Sequence, residues 1–278
     1  MNEWTHNTRT FACCLTVVWA ATCLGQEPIQ DGRSKDLKER RLNAMRKRIE
    51  SLKAIGPAGE SCEFSKYPLL RYSDIDRDVM DASLWAIGHK GRPHAVAVLE
   101  IYRDNTIQFE FTATSELPKS VQGSSWRWEP QESDFTWLEI PKQAVPKAAR
   151  RARRTQLSQI ARKFEATEVY RGTHQLELMP QPIHWYEDES KGVLDGATFV
   201  LAHGTNAEIL LFIEAQRKEG GDPRWVAGFS RLGSAKLDVT FSDAIFWSKS
   251  ASRGNSKRAY FYRSEELTEE EQAVFRPN

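Results

Sequence analysis

Four carboxylates, Asp81, Glu100, Asp195 and Glu214, are the residues whose types and spacing could do chemistry. The apolar runs from Val79 to Ile87 and from Ala95 to Tyr102 flank Gly88-His89-Lys90-Gly91-Arg92-Pro93 and read as a β-hairpin. A second hairpin of the same layout surrounds His203-Gly204-Thr205-Asn206. Turning the first between Lys90 and Gly91, and the second between Gly204 and Thr205, sets Asp81 opposite Glu100 and Asp195 opposite Glu214. Facing carboxylates on neighbouring strands repel. A shared proton, a bound cation or an arginine such as Arg103 or Arg217 should therefore neutralise each pair. With a shared proton, one carboxylate serves as general acid and the other as base or nucleophile, the arrangement of a hydrolase. The ordinary structural reading is that Asp81 and Asp195 cap strand starts while Glu100 and Glu214 meet solvent at strand ends.

His89 and His203 fall at the two hairpin tips, where an imidazole can ligate a metal or move a proton. A hairpin length, about 20–30 Å at ~3.3 Å per residue, separates each from the carboxylates of its own hairpin. Only head-to-tail packing of the two hairpins would bring histidine and carboxylates together; otherwise these are polar turn residues. Trp126, Trp128, Trp137, Trp185, Trp225 and Trp247 could line a carbohydrate groove, with Trp185 and Trp225 as the binding candidates, although alternating strand aromatics are also ordinary core. The run Arg150-Arg151-Ala152-Arg153-Arg154 looks like a phosphate-binding stripe. A net charge of only +1 and an export signal argue against nucleic acid, leaving a solvated helix face or a contact with the acidic tail Glu265 to Glu271. The sequence has no P-loop, dinucleotide fingerprint, Gly-x-Ser-x-Gly elbow or His-Glu-x-x-His helix.

The elements that must position these residues occur twice. A shift that lays Tyr72 on Tyr186 also lays Glu63, Pro68, Asp74, Val79, Asp81, His89, Glu100 and Arg103 on Glu177, Pro182, Asp188, Val193, Asp195, His203, Glu214 and Arg217, without a gap. A basic amphipathic helix precedes each block. The first carries Met45, Ile49 and Leu52 and stops at Gly56-Pro57. The second is opened by Pro146, runs from Lys147 to about residue 166 and carries Leu157, Ile160, Ala161 and Phe164. The expected fold class is therefore α+β, a tandem duplication of one amphipathic helix followed by an antiparallel β-meander. Its boundaries are a signal peptide over 1–25, a flexible leader over 26–38, repeats over 39–142 and 143–263, and an acidic tail over 264–278. Thr268 with Glu271 signals a short helix in that tail.

Arg9, the apolar run from Phe11 to Gly25, and Cys23 and Gly25 before Gln26 have the pattern of a cleaved signal peptide. The expected location is periplasmic or extracellular, with no membrane span after cleavage. Of four cysteines only Cys62 follows that segment, so no internal disulfide and no Cys-rich zinc site is expected. Cys62 reads as core filler beside Phe64, and no metal or cofactor is expected.

Arg71-Tyr72-Ser73-Asp74, Asp81-Ala82-Ser83-Leu84-Trp85, Gly91-Arg92-Pro93, Asp195-Gly196-Ala197, His203-Gly204-Thr205-Asn206 and Glu214-Ala215 together resemble uncharacterised exported proteins of planctomycete-type bacteria. The resemblance covers most of the chain after the signal segment and implies compartment and a two-copy layout, with no activity. The functional expectation is a non-catalytic binding or scaffold module that meets a protein, small-molecule or cell-envelope partner on the surface between its two repeats. The alternative is a hydrolase using Asp195 and Glu214.

Overall fold

The computed structural model describes residues 30–88, 91–217 and 220–276. His89 and the expected signal segment lie outside the described residues. Over the described residues the protein is mostly β, with three α-helices and antiparallel sheets that include a curled half-barrel. Helix α1 (Gln30–Glu50) leads into β1 (Lys53–Ile55), β2 (Ser61–Cys62), β3 (Leu70–Asp74), β4 (Val79–Ile87), β5 (Ala95–Tyr102), β6 (Thr106–Ala113), β7 (Ser120–Gln122), β8 (Arg127–Trp128) and β9 (Leu138–Glu139). Helix α2 (Arg150–Ala161) leads into β10 (Phe164–Val169), β11 (Thr173–Leu178), β12 (His184–Asp188), β13 (Val193–His203), β14 (Asn206–Gln216), β15 (Arg224–Arg231), β16 (Lys236–Phe241), β17 (Ala244–Lys249), β18 (Tyr260–Glu266) and helix α3 (Glu269–Phe275).

Strands β3 to β6 form a meander, extended by β18 on the β6 edge. A second meander, β12 to β15, belongs to a nine-stranded sheet and carries β9 on the β15 edge. Each of these two sheets thus ends on a strand drawn from the other half of the chain, which covers an edge that would otherwise offer unpaired backbone groups, while β2, β1, β7 and β8 form a separate four-stranded sheet. The outer face of the first meander packs on α1 and α3 through Met45, Trp85, Phe109, Phe111 and Phe275. The outer face of the second packs on α2 through Leu157, Phe199, Leu211 and Phe229. Their inner faces meet each other, with Leu84, Val96 and Val98 against Val200, Leu210 and Phe212. Each such fully buried aliphatic or aromatic side chain contributes about 1.5–3 kcal/mol.

Several boundaries differ from expectation, for physical reasons. Helix α1 begins at Gln30, inside the expected leader, because acids and bases there alternate at helical spacing, as in the pair Asp36 with Arg40. Helix α2 starts at Arg150 behind Ala149, so Pro146 lies upstream of its first turn, and Phe164 belongs to β10. Strand β18 runs from Tyr260 to Glu266 and pairs with β6, so the expected tail boundary at 264 cuts a strand of the first sheet. Thr268 forms a capping box with Glu271 at the start of α3. That helix and its approach contact α1: Arg48 meets Glu265 at 3.2 Å and Glu271 at 2.5 Å, so the acidic tail serves α1 and not the Arg150–Arg154 run.

The decisive difference is register. The second hairpin turns between Gly204 and Thr205 as expected, but Ala202 pairs with Ala207 and Leu201 with Ile209, leaving Glu208 as an extra residue in β14. Beyond this bulge Asp195 faces Ala215 and Gly196 faces Glu214. In the first hairpin the loop centres on Gly91, so Asp81 faces Ile101 and Ala82 faces Glu100. A one-residue slip sends side chains to opposite faces of a sheet. The expected pairs Asp81 with Glu100 and Asp195 with Glu214 therefore do not form.

Candidate functional site

Asp81 and Asp195 stand on the helix-covered outer faces and are held by arginines. Arg71 grips Asp81 with two bonds of 2.8 and 2.5 Å. Arg153 donates to Asp195 at 2.8 Å, and Arg150 and Arg154 approach it at 3.5 and 3.6 Å. Neither expected partner, Arg103 or Arg217, takes part: Arg103 lies against Asp78. Glu100 and Glu214 stand on the inner faces, where the two sheets meet. Glu214 is fully buried, and Arg92, from the loop before β5, grips it at 2.6 and 2.7 Å. Tyr186 and Gln216 each donate to the same carboxylate at 2.7 Å. The Arg92 guanidinium lies 4.6 Å over the Trp137 ring, completing a cradle of carboxylate fork, hydroxyl and aromatic face.

Glu100 has a different setting. It accepts hydrogen bonds from Tyr72 at 2.9 Å and Tyr102 at 2.6 Å and borders a cavity of about 280 Å³ between the sheets. Three more glutamates line that cavity, and all four are nearly closed to solvent: Glu100 is 6 % exposed, Glu110 8 %, Glu168 1 % and Glu208 1 %. Glu208 is the bulge residue of β14. Because a bulge re-aims its extra side chain, the irregularity that broke the expected register also turns this carboxylate into the cleft. The turn Asp74 to Asp78 supplies the facing cation. Asp74 Oδ1 accepts from the amides of Asp76 and Arg77, an Asx-type turn that presents Arg77 across the cleft. Arg77 bonds Glu168 at 2.7 Å and Glu208 at 2.5 Å. Arg171 also lines the cavity and lies over the Tyr170 ring, and Arg231 nearby stacks on Tyr260 and donates to the carbonyls of Gly233, Ala235 and Ser250.

Four carboxylates thus share one directly bound guanidinium. Burial raises Glu100 above the ordinary carboxylate range, and burial with repulsion from Glu100 pushes Glu110 well above it. Burial pushes Glu208 up to about 8, against the pull of Arg77 and with the help of Glu168. Below about pH 8 Glu208 therefore retains its proton.

His203 sits at the rim, with Nδ1 2.9 Å from Arg77 and 3.4 Å from Glu168 and its ring stacked on His174. Head-to-tail packing of the hairpins brings it there, beside carboxylates other than the expected ones. Trp185 lies under Arg154 at 4.6 Å and borders an open groove with Arg150, Arg151 and Arg162. Trp225, expected in a binding groove, is instead core: it is buried, and its indole N–H donates to the Ala144 carbonyl. Trp128 and Trp247 are buried as well, so the tryptophans do not share a groove. One trio among the described residues, Glu60, Cys62 and His94, has ligand atoms close enough to hold a metal ion.

Sequence reasoning missed Glu110, Glu168, Glu208 and Arg77. Glu110 sits among apolar residues in Ile107 to Ala113, where an acid needs a buried partner, and that signal was available. Glu208 gave none, since only the bulge turns it inward. No family model, curated protein or solved structure matches this chain, so its functional reading rests on the cleft's geometry.

Proposed function

We propose that the chain is a non-catalytic, exported binding module, built from two copies of one helix-plus-meander unit, which takes a compact guanidinium or ammonium group into the cleft between its sheets. The observation that carries this reading is the carboxylate excess at Glu100, Glu110, Glu168 and Glu208, enclosed around a cavity with Arg77 as the directly bound cation.

The Glu214 cradle supports the same chemistry. The shift that relates Tyr72 to Tyr186 and Glu100 to Glu214 also relates Tyr102 to Gln216 and Arg92 to Asn206. Each hairpin end reaches the other unit's glutamate: Arg92 grips Glu214, while Asn206 borders the cavity beside Glu100. Arginine fills one site and a neutral amide leaves the other open, so the occupant expected at Glu100 resembles the group already bound at Glu214. Three regularities favour the duplication: the repeated order of strand pairing, the extra residues Met80 and Leu194 at matching bulges, and the exchange of β9 for β18. The partner class that fits is a small cationic molecule, or an arginine or lysine side chain of a protein in the envelope or outside the cell. The hydrolase reading loses its geometry, because Asp195 and Glu214 face opposite ways.

Calorimetric titration with agmatine and arginine methyl ester tests the proposal, with a neutral ureido analogue as control. Saturable binding of the cations alone is expected, weakened at least about tenfold by Glu100→Gln or Glu208→Gln, since each removes a charge-assisted contact. Absence of binding by both cations, or binding indifferent to both substitutions, would contradict it.

A further inference from the structure

We infer that Glu60, Cys62 and His94 form a binding site for a zinc-class divalent ion, separate from the cleft. Their ligand atoms all lie within 4.8 Å of one another, and the Cys62 thiol is 3.8 Å from Glu60 Oε1. Two ligands of a tetrahedral zinc ion stand about 3.5 Å apart, given bonds of roughly 2.0–2.3 Å. Small side-chain adjustments therefore close the trio on an ion. A thiolate, an imidazole and a carboxylate also balance the double charge, and the thiolate with the imidazole favours zinc over magnesium or calcium.

The fold clears and aims this site. Glu60 and Cys62 flank the start of β2, and His94 is brought beside them by the bridge between Phe64 and Ile87 and by the bond from the Gly88 amide to the Glu63 carbonyl. A Cβ at Gly56 would stand 1.9 Å from Glu60 Oε1 and 2.7 Å from Cys62 Sγ. One at Gly88, whose φ of +71° already favours glycine, would stand 2.4 Å from His94 Cδ2. Both glycines leave the space the side chains occupy.

A second observation concerns the side of the His94 ring that faces Glu116. His94 Nδ1 is buried and has no hydrogen-bond partner, although Glu116 Oε2 lies 3.3 Å away. That approach is close enough for an ion pair but lacks hydrogen-bond alignment. Metal-bound histidines usually set their second nitrogen against a carboxylate, and Glu116, itself held by Lys191 at 2.5 Å, is placed to do this. Three protein ligands leave a fourth position for water. The ion would tie the edge strand β2 to the loop between β4 and β5.

Cobalt(II) titration of the metal-free protein provides the test. One equivalent should produce a thiolate-to-cobalt charge-transfer band with visible bands of tetrahedral intensity, and zinc should abolish both. Cys62→Ser should remove the charge-transfer band. His94→Ala should weaken binding at least about 100-fold, and Glu116→Gln about 10- to 100-fold. No thiolate band in the wild type, or one unaffected by His94→Ala, would overturn the inference. Alkylation of Cys62 in the wild type keeps it falsifiable if the variants misfold: zinc should slow the reaction at least about tenfold, and an unchanged rate would count against the site.

Discussion

Arg92→Ala should lower the stability of the protein by about 3–5 kcal/mol, because it strands Glu214 without its counter-charge at a fully buried position. The Arg92 side chain is only 8 % exposed, so water cannot readily replace it, and the substitution also removes its packing over Trp137 and its bond to Ser115. Urea unfolding measures the loss. The cost should belong mainly to the orphaned charge rather than to the contact. Replacing both partners with apolar residues of similar volume, as in Arg92→Met with Glu214→Leu, should therefore recover most of it. A double variant as unstable as Arg92→Ala would mean that the lost stability comes from packing alone.

Arg77→Ala should be the second severe substitution, and its cost should depend on pH. Arg77 is the guanidinium bonded to both Glu168 and Glu208. Removing it leaves two buried acids side by side, again a loss of about 3–5 kcal/mol where both are ionised. In the wild type Glu208 is already pushed up to about 8 from an ordinary 4.5. A carboxylate with a raised native value binds more protons folded than unfolded between those limits. Its contribution to stability is thus fully present below about 4.5 and is lost as pH rises through 8, by at most ~1.4 kcal/mol per pH unit for one proton. Losing Arg77 removes the pull that lowers Glu208 and so raises that carboxylate further. The variant should therefore be nearer the wild type at pH 6 than at pH 9, and Glu208→Gln should flatten the wild-type slope. Denaturation midpoints at pH 6 and 9 test both; a Glu208→Gln slope equal to the wild type's would show that this carboxylate does not hold the proton.

Much of the scaffold was legible because it depends on local pattern. The limits of β4 and β5 follow from apolar runs between turn residues, and the cap at Thr268 follows from its spacing to Glu271. The candidate site was half legible. Glu100 and Glu214 stood out by recurring, but their surroundings depend on strand register, which a single extra residue in β14 reverses. Turn position was read correctly in the second hairpin and still gave the wrong faces, because a bulge leaves no mark in the alternation of a fully apolar strand. The cradle around Glu214 joins Arg92 to a residue far along the chain, and the acidic cleft draws on both sheets. Such contacts follow from how the sheets stack. The expected start of helix α1 falls too late because the sequence there carries no apolar stripe; the one charge pair near it is Asp36 with Arg40.

The most direct test of the cleft as a cation site is the number of protons released when a guanidinium probe binds. Glu100, Glu110 and Glu208 have raised values in the cleft, and a cation should drive protons off them. Titration of agmatine into the protein near pH 7, in buffers of different ionisation enthalpy, gives that number from the slope of observed heat against buffer heat. A net release of between about half a proton and two protons, reduced in Glu208→Gln, is the predicted result. Binding without proton exchange, or with exchange unchanged in Glu208→Gln, would contradict cation capture in this cleft.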